Sequence, residues 1–204
     1  MSTATLQNDK VMIPAPDLAD LIAGAMTVQD KAAPTSLTGL ELSASKNTFT
    51  IRATDRYRMV VGSTRAIREI TESDPGDLAP IALSWTDAKQ VLTFLKSEKI
   101  AGILITHKDG EITFRGMSGS VTVRNWDMLK LPNFSAILAR VAGDPIPAGG
   151  IKLNAKLLAE LGKIPHDIDK GMDLTFHGEK QPVKIALSHD LIAWDVLIMP
   201  MSKR

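Results

Sequence analysis

The stretch Pro80–Trp126, PIALSWTDAKQVLTFLKSEKIAGILITHKDGEITFRGMSGSVTVRNW, holds one complete structural unit. Pro80 to Leu83 is short and extended, and Ser84 or Thr86 can cap a helix starting near Asp87. Ala88, Val91, Leu92 and Leu95 recur at helical spacing, which makes them the buried stripe of that helix. Three strand-like segments follow at Gly102–His107, Glu111–Arg115 and Ser120–Trp126. Lys108-Asp109-Gly110 and Gly116 to Gly119 read as the hairpin turns between them. The order is strand, helix, then three strands.

The same order recurs on both sides. Upstream, Pro16 opens a helix whose stripe is Leu18, Leu21, Ile22, Ala25 and Met26. A longer loop, Asp30 to Thr35, leads to strands at Leu37–Ser43, Thr48–Ala53 and Tyr57–Gly62. Downstream, Gly150–Leu153 is extended and Asn154 is a candidate N-cap. Leu157, Leu158 and Leu161 form the stripe, and Gly162 and Pro165 mark the helix end. Strands follow at Met172–Phe176, Val183–Leu187 and Leu191–Met199. The expected organisation is a disordered lead over residues 1–9, a domain of two βαβββ units over 10–140, and a third βαβββ unit over 148–204.

Bulk properties narrow the function. The 204 residues are enough to bury a real core, and 44% hydrophobic with 23% charged residues is ordinary for a globular protein. The absence of cysteine excludes disulfides and thiolate metal sites. No apolar run approaches the roughly 20 residues that span a bilayer, so no membrane association is expected. A net charge of +1 gives no global attraction to nucleic acid, so any such role needs a local basic patch. There is no Walker loop, dinucleotide fingerprint or nucleophile elbow. His107, His166, His177 and His189 fall mostly in turns, and the pair His166 and Asp169 lacks the further ligands a metal needs. No enzyme, cofactor or metal site is expected.

Three segments carry a family resemblance. Ala53-Thr54-Asp55-Arg56-Tyr57-Arg58-Met59-Val60-Val61 resembles the Ala-Thr-Asp-Gly-His-Arg-Leu-Ala stretch of bacterial sliding clamps, the β subunits of DNA polymerase III. Leu131-Pro132-Asn133-Phe134, with Ile137 and Leu138, is similar to the Phe-Pro-Asp-Tyr segment that ends their middle domain. Val196-Leu197-Ile198-Met199-Pro200-Met201 is similar to their Val-Val-Met-Pro-Met terminus. By this resemblance, residues from about 10 to 140 correspond to the middle clamp domain and about 148 to 201 to the second half of the last one. The first domain and the first half of the last have no counterpart. The fold implied is α+β, the DNA-clamp fold of repeated βαβββ units with helices inside and antiparallel sheets outside.

In that family the three segments converge on a pocket for short peptides from polymerases and the clamp loader. Carried over by position, the pocket comprises Thr54, Arg56, Tyr57, Arg58, Met59, Pro132, Ile137, Leu197, Met199, Pro200 and Met201. Flexible, polarizable methionines suit a groove that takes several peptides. Tyr57 and Arg58 would offer hydrogen bonds and a charge to the peptide's polar positions. Arg56 stands where the family has glycine and Tyr57 where it has histidine, so the preferred peptide can differ. Clamp helices turn basic residues toward DNA. Lys89 and Lys96 are seven apart on one helix, and Lys156 and Lys163 are seven apart on another. Such contacts would track phosphates without reading sequence. The first helix carries Asp17 and Asp20 and no lysine.

The resemblance implies a processivity factor that encircles double-stranded DNA and binds a replicative polymerase and a clamp loader. Self-association into a ring is implied, and three units per chain leave a trimer or a tetramer open. A bacterial cytoplasm, including that of a phage-infected cell, is the implied setting. The alternative is a clamp-like adaptor or decoy that binds polymerase peptides without encircling DNA.

Overall fold

A computed structural model describes residues 10–29, 37–66, 78–100, 102–141, 151–178 and 180–201. The lead expected to be disordered, the whole Asp30–Thr35 loop and Gly150 fall outside these residues.

The first unit comprises β1 (Lys10–Pro14), α1 (Ala15–Ala25), β2 (Gly39–Ser45), β3 (Thr48–Thr54) and β4 (Arg58–Arg65). The second comprises β5 (Leu78–Ser84), α2 (Trp85–Leu95), β6 (Gly102–Lys108), β7 (Glu111–Arg115) and β8 (Ser120–Arg124). A short helix α3 (Phe134–Arg140) follows. The third unit has α4 (Ala155–Leu161), β9 (Asp173–Thr175), β10 (Val183–His189) and β11 (Ile192–Ile198).

Local chemistry accounts for the boundaries. Ser84 caps α2 by accepting from the Asp87 amide at 3.1 Å, so the helix begins two residues before the expected Asp87. The hairpins close through left-handed residues: Lys46 and Asn47 between β2 and β3, Asp109 and Gly110 between β6 and β7. Asn154 caps α4 as expected, its Oδ1 accepting from the Lys156 and Leu157 amides. The extended segment expected just before it is not part of a strand in 151–154. Helix α3 was not anticipated, although Asn133, accepting from the Ala136 amide at 3.0 Å, is an ordinary N-cap.

Sheet order shows how the repeat works. One sheet runs β1-β6-β7-β8 and the other β5-β2-β3-β4-β11-β10-β9. Units one and two therefore exchange their lead strands, β1 joining the second unit's sheet and β5 the first's. All pairings are antiparallel. Helices α1 and α2 pack on each other and on strands of both sheets. Leu18, Leu21, Ile22 and Ala25 are fully buried, as are Ala88 and Val91. The third unit joins through β11, which lies beside β4 from Ala193↔Ser63 to Ile198↔Arg58. Trp194 locks this junction, since a Cβ on Gly24 of α1 or Gly62 of β4 would overlap its ring.

Candidate functional site

The site forms where the β3–β4 turn meets the end of β11. The turn Thr54–Arg58 is held by its own side chains. Thr54 Oγ1 donates to the Arg58 carbonyl at 2.6 Å, and Asp55 Oδ1 accepts from the Tyr57 and Arg58 amides at 3.0 and 2.7 Å. Arg56 consequently sits at φ +81°, the left-handed region where the resembled clamps have glycine. Its guanidinium lies 5.5 Å from the centroid of the Tyr57 ring, a cation–π arrangement at a half-exposed tyrosine.

Arg58 corrects the sequence-based expectation of a charge offered to a peptide. It is only 4% exposed. Nε and Nη2 donate to Asp55 Oδ2 at 2.9 and 2.6 Å, and Nη1 donates to Glu160 Oε2 at 2.7 Å. Two carboxylates therefore neutralise the guanidinium, because a buried cation is tolerated only when paired. Glu160 belongs to α4, so Arg58 fastens the third unit to the β3–β4 turn.

The opposite wall is apolar. Met59 and Leu197 are cross-strand partners and form a small cluster with Phe134 and Val141, against which Leu131, Ile137 and Leu138 pack. Helix α3 thus delivers Ile137 and the preceding Pro132 to the same place. The Met199 amide donates to the Tyr57 carbonyl at 2.9 Å and the Met201 amide to the Lys152 carbonyl at 2.7 Å, which extends the β11 tail along the site.

Two adjoining cavities result. Thr54, Arg56, Tyr57, Arg58, Met59, Pro132, Ile137, Leu197 and Met199 line one of about 380 Å³. Pro200 and Met201 line the other, of about 700 Å³, which shares Tyr57, Arg58 and Met199 with the first. The three sequence segments do converge. Tyr57 and Met199, both about half exposed, are common to both cavities. Sequence reasoning missed Leu37, Lys130, Leu131 and Pro182 in the smaller cavity. It also missed Gln29, Asp55, Asn154, Leu157 and Glu160 in the larger. Leu131 stood inside a quoted motif and was recoverable; Asn154 and Leu157 are placed by tertiary packing of α4.

The lysines divide. Lys89 and Lys96 are exposed, Lys96 at the C-cap of α2. The expectation that Lys156 and Lys163 share a helix fails, because α4 ends at Leu161 with Gly162 as its cap. Lys163 lies beyond it, while Lys156 lines the larger cavity.

The histidine contacts lie elsewhere than between His166 and Asp169, the pair already set aside as a metal site. His166 Nδ1 bonds the Ile164 carbonyl at 2.6 Å, and it is His189 that meets carboxylates: Asp167 at 3.0 Å and Asp20 at 3.6 Å. The hydrogen bond to Asp167 raises the His189 pKa above its ordinary value. The bonds from Lys170 and His189 lower that of Asp167, and burial raises that of Asp20. Among the described residues no three His, Asp or Glu side chains gather as a metal would require, and no helix is long and apolar enough to cross a membrane.

No protein-family model and no curated protein matches the chain. Solved structures do. The chain is similar over its whole length to 68% of a DNA polymerase III β subunit from Thermotoga maritima, with a TM-score of 0.74 and 13% identity. It is similar over its whole length to 68% of a putative β subunit from Eubacterium rectale (TM-score 0.73, 12% identity). A DNA polymerase sliding clamp from Pseudomonas aeruginosa matches all of the chain over 69% of its own length, with a TM-score of 0.72 and 14% identity.

Proposed function

We propose, taking the sliding-clamp fold as premise, that this chain is a processivity factor: a non-catalytic clamp that encircles duplex DNA and tethers a replicative polymerase. The polymerase and the clamp loader would dock through short peptides in the paired cavities beside Tyr57 and Met199. The observation that carries this reading is the convergence of three separate segments, ending β3, opening α3 and ending β11, on one apolar cavity. A cavity of about 380 Å³ falls within the ~300–1,000 Å³ typical of ligand pockets and suits a few anchoring side chains. Leu197 and Met59 supply its floor, and the mobile thioether of Met199 supplies an adaptable rim. Because Arg58 is neutralised internally, apolar anchors and the backbone would dominate recognition, with Arg56 and Lys130 as the cationic wall.

Topological linkage would replace tight DNA binding. Exposed Lys89 on α2 and Lys96 at its C-cap would provide weak, sequence-independent phosphate contacts. Lys163 would add to them, and Lys156 would serve the peptide groove. An adaptor or decoy that binds peptides without encircling DNA is the second reading. Acidic Asp17 and Asp20 on α1 favour it, since they oppose DNA on that helix.

Titration of a fluorescent peptide from the clamp-binding segment of a bacterial replicative polymerase tests the groove. Saturable binding, weakened at least tenfold by Met199→Glu at a site 44% exposed, is the expected result. No binding by the folded protein would remove the polymerase-tethering role.

A further inference from the structure

The three units are not equally complete. Units one and two close one another's cores by giving up their lead strands: β1 pairs with β6, and β5 with β2. Across the β5–β2 pairing, Ile81 and Leu83 meet Leu42 and Leu40, and none of the four is more than 1% exposed.

The third unit has the same parts without the exchange. Segment 151–154 takes the place of a lead strand, as two hydrogen bonds show. Ala82, three residues before α2, accepts from the Trp126 amide just past β8 at 2.9 Å. Lys152, three residues before α4, accepts from the Met201 amide just past β11 at 2.7 Å. Ser84 and Asn154 then cap their helices in the same place. Ile151 and Leu153 therefore occupy the positions of Ile81 and Leu83. The other side of β5 is paired with β2, but among the described residues no strand pairs with 151–154. Ile151 and Leu153 are only partly buried.

Among the described residues the receiving edge is open as well. Strand β9 is the last of the seven-stranded sheet. Leu174 is the register partner of Ile185, and directly opposed residues face the same side of a sheet. Ile185 is fully buried, yet Leu174 is 41% exposed. A core-facing leucine is thus uncovered where β5 covers the corresponding edge of the first unit.

We propose that the third unit is completed by the third unit of a second copy of this chain, each copy laying segment 151–154 along β9 of its partner. The occupant is a second copy because this unit carries both complementary parts, a donor strand and an acceptor edge. The contact repeats, between two copies, the reciprocal exchange that joins units one and two. Exchange between identical units is isologous and pairs both open edges at once. It also buries Ile151, Leu153 and Leu174 on both sides. The number of chains in the assembly is therefore even, which selects a tetramer over a trimer. The interface stands on the repeat geometry and holds whether or not the assembly encircles DNA.

Light scattering over a dilution series, on the whole chain and on Leu174→Asp, tests this. The expected masses are two or four chains for the parent, and half the parent mass for Leu174→Asp with an unchanged far-UV circular dichroism spectrum. A mass of one or three chains for the parent, or a folded Leu174→Asp of parental mass, overturns the interface. Hydrogen exchange decides independently if Leu174→Asp unfolds. Amides of 151–154 and 173–175 in the parent should lose protection together as dilution lowers the mass, and exchange unaffected by that dissociation overturns the proposal. The peptide groove centres on the β4–β11 junction, two strands away from the β9 edge that Leu174→Asp alters, although Asn154 of the donor segment lines its larger cavity. Lost peptide binding at an even mass would count against polymerase tethering alone.

Discussion

Replacing Arg58 with methionine separates a structural fastening from a peptide-binding charge. The guanidinium is 3% exposed, as is the Asp55 side chain it pairs, and it also reaches Glu160 on α4. Methionine keeps the aliphatic stem and removes three charge-assisted hydrogen bonds. Breaking one side of a buried pair costs about 3–5 kcal/mol, because the remaining charge is left uncompensated. Here Asp55 Oδ1 still accepts two backbone amides, at 3.0 and 2.7 Å, which places the loss near the lower end of that range. Urea unfolding reads the effect directly. With a slope of about 2 kcal/mol/M, a loss of about 3 kcal/mol moves the midpoint down by about 1.5 M. Asp55→Asn combined with Arg58→Met should recover part of that loss by removing the stranded charge. Peptide affinity should fall far less than stability. A midpoint unchanged within about 0.3 M, equivalent to about 0.6 kcal/mol, together with abolished peptide binding would refute the fastening role.

Other perturbations reach different parts of the account. Trp194→Ala should cost about 3–5 kcal/mol in the same assay, since the ring fills the space between Gly24 and Gly62 and is 1% exposed. Arg56→Gly should stabilise the turn by up to about 1 kcal/mol by relieving a left-handed residue, while altering peptide preference at the cavity wall. The raised pKa of His189 means that protonation favours the folded state. That contribution is fully present below the ordinary histidine value of 6.5 and is lost as pH rises through the higher folded value. Asp167, lowered by its bonds to Lys170 and His189, acts in the opposite sense, losing its contribution as pH falls below the ordinary carboxylate range. His189→Gln should flatten the decline in stability as pH rises above 6.5, and an unchanged slope would remove His189 as its source.

The repeat was legible because its signals are local. Apolar spacing in Leu18–Ala25 and Ala88–Leu95, the Asp109-Gly110 turn and the Asn154 cap all act within a few residues and survive in the fold. The exchange of lead strands was not legible, since pairing Leu42 with Ile81 is a matter of long-range register. The site was legible through its three motifs, which meet as expected around Tyr57 and Met199. The state of Arg58 was not. Its neutralisation depends on Glu160, 102 residues away, and no spacing rule links the two. Helix α4 proved shorter than the Lys156–Lys163 interval because Gly162 ends it, a stop signal present in the sequence yet not applied to those lysines.

Encirclement is the central claim, and threading on linear duplex DNA tests it without a loader. A closed ring enters and leaves over free ends, so blocking both ends with bulky adducts after mixing should trap protein against a high-salt wash. Blocking the same ends before mixing should leave none. Equal salt-resistant retention in either order, or none in both, would contradict the ring.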